Sequence, residues 1–242
     1  MNTLNTFMFV AFPYVAMITF VIGTAIRYRQ TGFKVSSLSS QFLEGKKLFW
    51  GVMPFHIGLL IVLGGHLLAF LVPAAILAWN GQPVRLIILE VTAVTFGMSI
   101  LVGLVGLLHR RLTNERIKAV TTRMDIAIEL LLLAQVVLGC WVALGFRWGS
   151  SWFDAALSPY LWSLFKLSPE TAAVFALPVV IKLHIFGAFL ILFMVPFTRL
   201  VHIFVAPLHY ISRPYQQVMW NWNKDRIRDP KTPWSPTRPK NN

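Results

Sequence analysis

Apolar residues fall in long blocks along this chain, and the polar residues gather between them. Neither the two-residue alternation of a half-buried strand nor the narrow stripe of a soluble helix explains such blocks. Several exceed the roughly 20 apolar residues that a helix needs to cross a bilayer. The pattern predicts five spans: Leu4 to Ile26, Trp50 to Val72, Leu86 to Leu108, Ile126 to Phe146 and Val179 to Val205. Between them lie a Ser-rich basic connector (Arg27 to Phe49) and a polar turn (Trp79 to Val84). A second basic connector (His109 to Asp125) and an aromatic stretch (Arg147 to Pro178) follow. Tryptophan and tyrosine concentrate at membrane interfaces, so that aromatic stretch is expected to lie on the surface with a short helix in it. Pro13 and Pro196 are expected to kink spans one and five. The expected fold class is all-α, an integral membrane bundle of five transmembrane helices over residues 1–205, with a basic, Pro-rich tail from Ala206.

Composition sharpens this picture. The chain is 56% hydrophobic and 13% charged, yet carries a net charge of +13. In a soluble protein that charge would suggest nucleic acid. Here 18 of the 22 Lys and Arg residues sit in or beside the two basic connectors and the tail, and four (Arg85, Arg147, Lys166, Lys182) on the other side. The positive-inside bias then puts the amino terminus outside and the connectors and carboxy terminus in the cytoplasm, with no nucleic-acid partner. The amino-terminal block lacks a basic leader and is read as an uncleaved span rather than a signal peptide. The single Cys140 excludes an intramolecular disulfide and a CxxC site.

Four histidines stand inside apolar blocks: His56 and His66 in span two, His184 and His202 in span five. Ionisable groups in such places are expensive and mark function. At 1.5 Å per residue, His66 lies about 15 Å beyond His56, and His202 about 27 Å from His184. The two spans run antiparallel, so depth matches His66 with His184 and His56 with His202, each pair offset by roughly 6 Å. The 18-residue interval on span five is five helical turns, which puts its two histidines on one face. Bis-histidine ligation of two haems explains the pairing. A histidine-lined metal-ion path would need acidic partners, and the spans offer Glu90 and Glu129, which are expected to be hydrogen-bonded within the bundle. Gly58, Gly64, Gly65 and Gly187 beside the ligands would give a flat macrocycle clearance. Arg110, Arg111 and Arg199 either hold inner-haem propionates or anchor span ends. His109 and His209 are expected at solvated surfaces.

Specific stretches carry a family likeness. They are RYRQTGF and SSLSSQ in the first connector, FHIGLLIVLGGH in span two, and LLHRRL with AVTTRMDI around the second connector. The fourth is KLHIFGAFLILFMVPFTRLVHIFVAPLHYISRPYQ, through span five into the tail. From Arg27 to Gln217 the chain resembles the gamma subunit, cytochrome b, of membrane-bound respiratory nitrate reductase. The resemblance implies two haem b groups, an outer one on His66 and His184 and an inner one on His56 and His202. It also implies quinol oxidation near the outer haem, drawing on the membrane quinone pool. Electrons would pass inward to an iron–sulfur beta subunit and a molybdenum-containing alpha subunit on the cytoplasmic side of the inner membrane. Where that family commonly has a lysine at the start of span three, this chain has Arg85, which with His66 is the expected quinol contact. The loop before span five also differs, and the tail is longer. Related dihaem cytochromes serve sulfur-metabolism and heterodisulfide-reductase-like complexes, so a different soluble partner is the competing expectation. Tyr210 to Trp222, rich in aromatic and arginine residues, is the expected docking segment.

Overall fold

The computed structural model describes residues 3–31, 40, 43 and 46–205. The tail from Ala206, with His209 and the segment Tyr210 to Trp222, lies outside the described residues. Five helices are long and apolar enough to cross a membrane: Thr3–Thr31, Lys47–Leu71, Pro83–Thr113, Arg123–Gly145 and Val179–Phe197. These are spans one to five. Among the described residues there is no strand. Span three is longer than its apolar core, running through the basic residues to Thr113. Helix persists there because Arg110 and Arg111 are good helix formers near a helix C-terminus, where cations are favoured.

Prolines and glycines shape the spans. Pro13 has no N–H for the carbonyl of Phe9, and the preceding stretch Phe7–Ala11 widens into a π-turn. The freed Phe9 carbonyl accepts instead from the buried Tyr160 hydroxyl at 2.9 Å. Span two and span three meet at a glycine seam. A Cβ on Gly103 would lie 2.6 Å from the Phe55 nitrogen, and one on Gly58 2.7 Å from the Phe96 carbonyl oxygen. Only glycine lets the backbones approach this closely. Ser99 Oγ donates to the Pro54 carbonyl at 3.0 Å across the same seam. Phe55, Ile100 and Leu104 form its buried apolar core.

Packing runs from span two to three, to four, to five, and on to span one. Spans two and five share no comparable backbone seam among the described residues. A second apolar core joins Phe9, Val142, Ile181 and Ile185 to Leu157, Tyr160, Leu164 and Val174 of the aromatic stretch. That stretch folds into a helical turn Gly149–Trp152, a π-turn Phe153–Leu157 and helices Ser158–Phe165 and Ala172–Ala176. It caps one end of the bundle, here called the aromatic end. The connector before span four lies at the other, basic end. A further helix, Pro73–Asn80, follows span two before the expected turn.

Span five corrects an expectation. It is α-helical only over Val179–Met194, then passes through a 3-10 turn, Val195–Phe197. Thr198 is extended (φ −119°, ψ 179°), and a separate 3-10 segment covers Arg199–Val205. His202 is therefore not five α-turns below His184, and the common-face argument fails beyond Met194. Pro196 does more than kink the span; it ends it.

Two histidine pairs as a candidate cofactor site

The break brings His202 to His56. Their ring centroids are 6.3 Å apart at an interplanar angle of 64°. His56 Nδ1 donates to the Val52 carbonyl at 2.9 Å, one turn back on its own helix. His202 Nδ1 donates to the Arg199 carbonyl at 2.6 Å. A carbonyl can only accept, so Nδ1 carries a proton in both rings, and in the neutral imidazole Nε2 is then the nitrogen with a lone pair to offer. This is how a ligating histidine is usually fixed, with the distal nitrogen tied and the other free for a metal. Two imidazoles on opposite sides of one metal, at bonds of about 2.0 Å, would have centroids roughly 6 Å apart. The pair fits a bis-histidine centre.

At the aromatic end His66 Nδ1 donates to the Val62 carbonyl at 2.8 Å, which again leaves Nε2 free. Its ring stands edge-on to Phe153, with centroids 5.7 Å apart. His184 lies within electrostatic reach of His66. The His184 ring fits against Gly139, where an added Cβ would come within 3.0 Å of its Cε1. Its Nδ1 is buried without a partner. Its backbone carbonyl accepts from Gln135 Nε2 at 3.0 Å. Unlike His56, His66 and His202, His184 has no backbone carbonyl holding its Nδ1, so a buried polar atom is left unmet there.

The glycines divide into two groups. At Gly64 and Gly65 an added Cβ would meet nothing, so span two has an open flank beside His66. Gly58 and Gly187 do not provide clearance. Gly58 belongs to the seam with span three, and Gly187 is filled by the Gln135 side chain. Their small size serves helix packing.

The charged residues at the basic end are tied to protein groups. Arg111 Nε donates to Glu129 Oε2 at 2.8 Å, and its Nη1 lies 3.8 Å from Asp125 Oδ2. Arg199 meets Asp125 twice, Nε to Oδ1 at 2.6 Å and Nη2 to Oδ2 at 2.8 Å. Buried Arg110 donates from Nη1 to Ser40 Oγ at 3.1 Å. Glu90 accepts from the Ser150 hydroxyl at 2.9 Å and from its backbone N–H at 3.1 Å. Arg85 is exposed at the aromatic end, its guanidinium 4.9 Å over the Trp79 ring. His109 is exposed. No group of three or more His, Cys, Asp or Glu converges among the described residues.

In the sequence Arg27, Asp125 and Asp154 stand only as charges in or beside the connecting stretches. Asp125 had a local signature: Thr122 and Asp125 form a capping box at the start of span four. Arg27 and Asp154 had none, because their surroundings come from residues distant in sequence.

Five apolar spans define a multi-pass membrane protein of the all-α bundle class. The chain belongs to the nitrate reductase gamma subunit family, whose profile matches residues 5–221. It is 33% identical to the nitrate reductase gamma chain of Bacillus subtilis, over 84% of this chain and 92% of that one. It is 32% identical to the respiratory nitrate reductase 2 gamma chain of Escherichia coli, over 89% and 96%. A nitrate reductase-like protein NarX of Mycobacterium tuberculosis is 31% identical over 84% of this chain and 32% of its own length. There the homologous part belongs to a much longer polypeptide.

Proposed function

We propose that this chain is the quinol-oxidising membrane subunit of a respiratory nitrate reductase, holding two b-type haems between spans two and five. The observation that carries this reading is the approach of His56 to His202 with both Nδ1 atoms tied to backbone carbonyls. His56 and His202 hold the inner haem, and His66 and His184 the outer one. When bound, the haems supply a one-electron path between the two ends of the bundle. The residues of the chain do the rest: they fix the ligand tautomers, exclude water from the spans and receive quinol at the aromatic end. Arg85 there offers a cation beside Trp79 to orient a quinone oxygen, near the depth of His66. Arg replaces a compact ammonium with a planar fork, so the charge is kept and the donor geometry changes.

Oxidation of one quinol releases two electrons and two protons. The bundle lies in the cytoplasmic membrane with its amino terminus outside and its basic end in the cytoplasm. Protons then leave outside while electrons pass inward, and turnover is electrogenic. An iron–sulfur beta subunit and a molybdenum-containing alpha subunit dock on the basic side, with Tyr210 to Trp222 of the tail as contact segment. Any propionate held by Arg110, Arg111 or Arg199 shares them with Ser40, Glu129 and Asp125.

A reduced-minus-oxidised spectrum of membranes bearing the complex tests the reading; absence of b-type bands overturns it. Arg85→Ala is expected to keep both haem spectra while raising the quinol KM or slowing haem reduction by quinol. Reduction of the soluble subunits by an artificial donor should be unchanged. Unaltered quinol kinetics would move the site away from Arg85.

A further inference from the structure

The segment bearing His202 has lost the support of its own helix. Past Met194 the chain is a 3-10 turn, an extended residue and a second 3-10 stretch. Such hydrogen bonding is poorer than that of an α-helix, and long runs of it are uncommon. A break of this kind leaves carbonyls without partners inside a membrane, where each is costly. It persists only if other spans supply the partners.

Two spans do so. From span one, Arg27 Nη1 donates to the Pro196 carbonyl at 2.7 Å and to the Thr198 carbonyl at 2.7 Å. Gly23, one turn earlier, makes room for this approach: a Cβ there would lie 3.0 Å from the Pro196 ring. From span four, Asp125 takes the Arg199 guanidinium at two points, 2.6 and 2.8 Å. Planar two-point pairing fixes direction as well as distance. Asp125 is itself 4% exposed and held by Thr122, whose backbone N–H donates to its Oδ2 at 2.9 Å. The last link is the backbone of Arg199, whose carbonyl receives the His202 Nδ1 proton at 2.6 Å. The connection is continuous: Thr122, Asp125, Arg199, His202, and across to His56.

We propose that Arg27 and Asp125 are positioning residues for the inner histidine pair. Arg27 fixes the backbone break, Asp125 fixes Arg199, and together they aim the free Nε2 of His202 towards His56. Neither residue touches the cofactor. Their effect on it is that of the outer partners that orient metal-ligating histidines, whose loss typically lowers metal affinity by about 10-fold or more. The proposal rests on the bis-histidine reading above. It also assigns Arg199 to a protein carboxylate as its principal partner.

The experiment uses the full chain in its native complex in membranes. It compares wild type with Asp125→Asn, which keeps volume and removes charge, and with Arg27→Gln. Haem content and the low-temperature electron paramagnetic resonance of the ferric haems are recorded for each. Both variants are expected to displace the low-spin signal of the inner haem or lose that haem, while the outer-haem signal keeps its position and intensity. If Asp125→Asn does not accumulate, Asp125→Glu keeps the charge but changes its reach, and should likewise displace the inner signal. Wild-type inner signals and occupancy in the variants would overturn the proposal. So would an equal change in both haems, which marks general loosening of the bundle. Absence of haem from wild type would instead refute the reading beneath it.

Discussion

The two ends of this bundle differ in how far their buried polar groups are met. At the basic end the charged groups have partners: Arg111 pairs with Glu129, Arg199 with Asp125, and Arg110 hydrogen-bonds Ser40. At the aromatic end both carboxylate oxygens of Asp154, Oδ1 of Asn80 and Nδ1 of His184 are buried without partners. Each unmet group costs about 1–3 kcal/mol. At the basic end the charged side chains are held by the chain's own residues, and Thr24 Oγ1 is the buried polar atom left unmet beside them. An aromatic end with polar groups left over suits completion by a bound molecule. On the proposed function, that is a cofactor and quinol.

The largest expected effect separates the ends by cofactor. His56→Ala or His202→Ala should remove mainly the inner haem, and His66→Ala or His184→Ala mainly the outer. Spectra and haem counts of membranes check this. Loss of the outer signal on replacing His56 would break the comparison, because it would mean that the pairs cross between ends.

A smaller effect contrasts filled and open glycines. Gly103→Ala puts a Cβ within 2.9 Å of three Phe55 and Gly51 atoms, two of them backbone that cannot swing aside. Overpacking of this kind typically costs 1–3 kcal/mol, and the upper part of that range, about 3 kcal/mol, is expected here. A lower melting temperature of the detergent-purified complex should show it. Gly64→Ala meets no protein atom. It should leave the melting temperature of haem-free protein unchanged and lower outer-haem content, if the open flank beside His66 is where the macrocycle lies. Unchanged haem content would assign that flank to lipid.

The spans were legible because hydropathy is a local, countable property, and depth was enough to bring His202 towards His56. Span five shows where legibility ended. Pro196 announced a disturbance, but whether a helix kinks or stops depends on who takes the released carbonyls. Here the taker is Arg27, 169 residues away from Pro196. An α-helical rise puts His202 about 27 Å from His184, but the last segment is 3-10, with a longer rise of about 2.0 Å per residue. Gly58 and Gly187 were read by their neighbours in sequence, whereas their partners, Phe96 with Ile100 and Gln135, come from other spans. In the sequence Arg111 and Arg199 either hold propionates or anchor span ends, and nothing local announces a carboxylate for them. Their carboxylate partners lie across tertiary contacts that one-dimensional spacing does not carry.

The smallest effect tests whether the aromatic end really carries an unmet charge. Asp154 sits on the π-turn Phe153–Leu157 and is 2% exposed. With no hydrogen bond to offset burial, its carboxyl is pushed up from 3.8 to about 6. The folded protein therefore holds this proton more tightly than the unfolded chain. The contribution to stability is fully present below pH 3.8 and is lost as pH rises through about 6. A rise of that size corresponds to about 3 kcal/mol. Asp154→Asn removes the titration while keeping the shape, but leaves an amide that is also buried without a partner. The net gain at neutral pH should therefore be smaller, about 1–2 kcal/mol. Melting temperatures between pH 4 and 8 should fall less steeply with rising pH in the variant, with the two curves furthest apart above pH 6. Identical slopes would mean that Asp154 has a partner in the working protein. The contrast between the two ends would then rest on Asn80 and His184 alone.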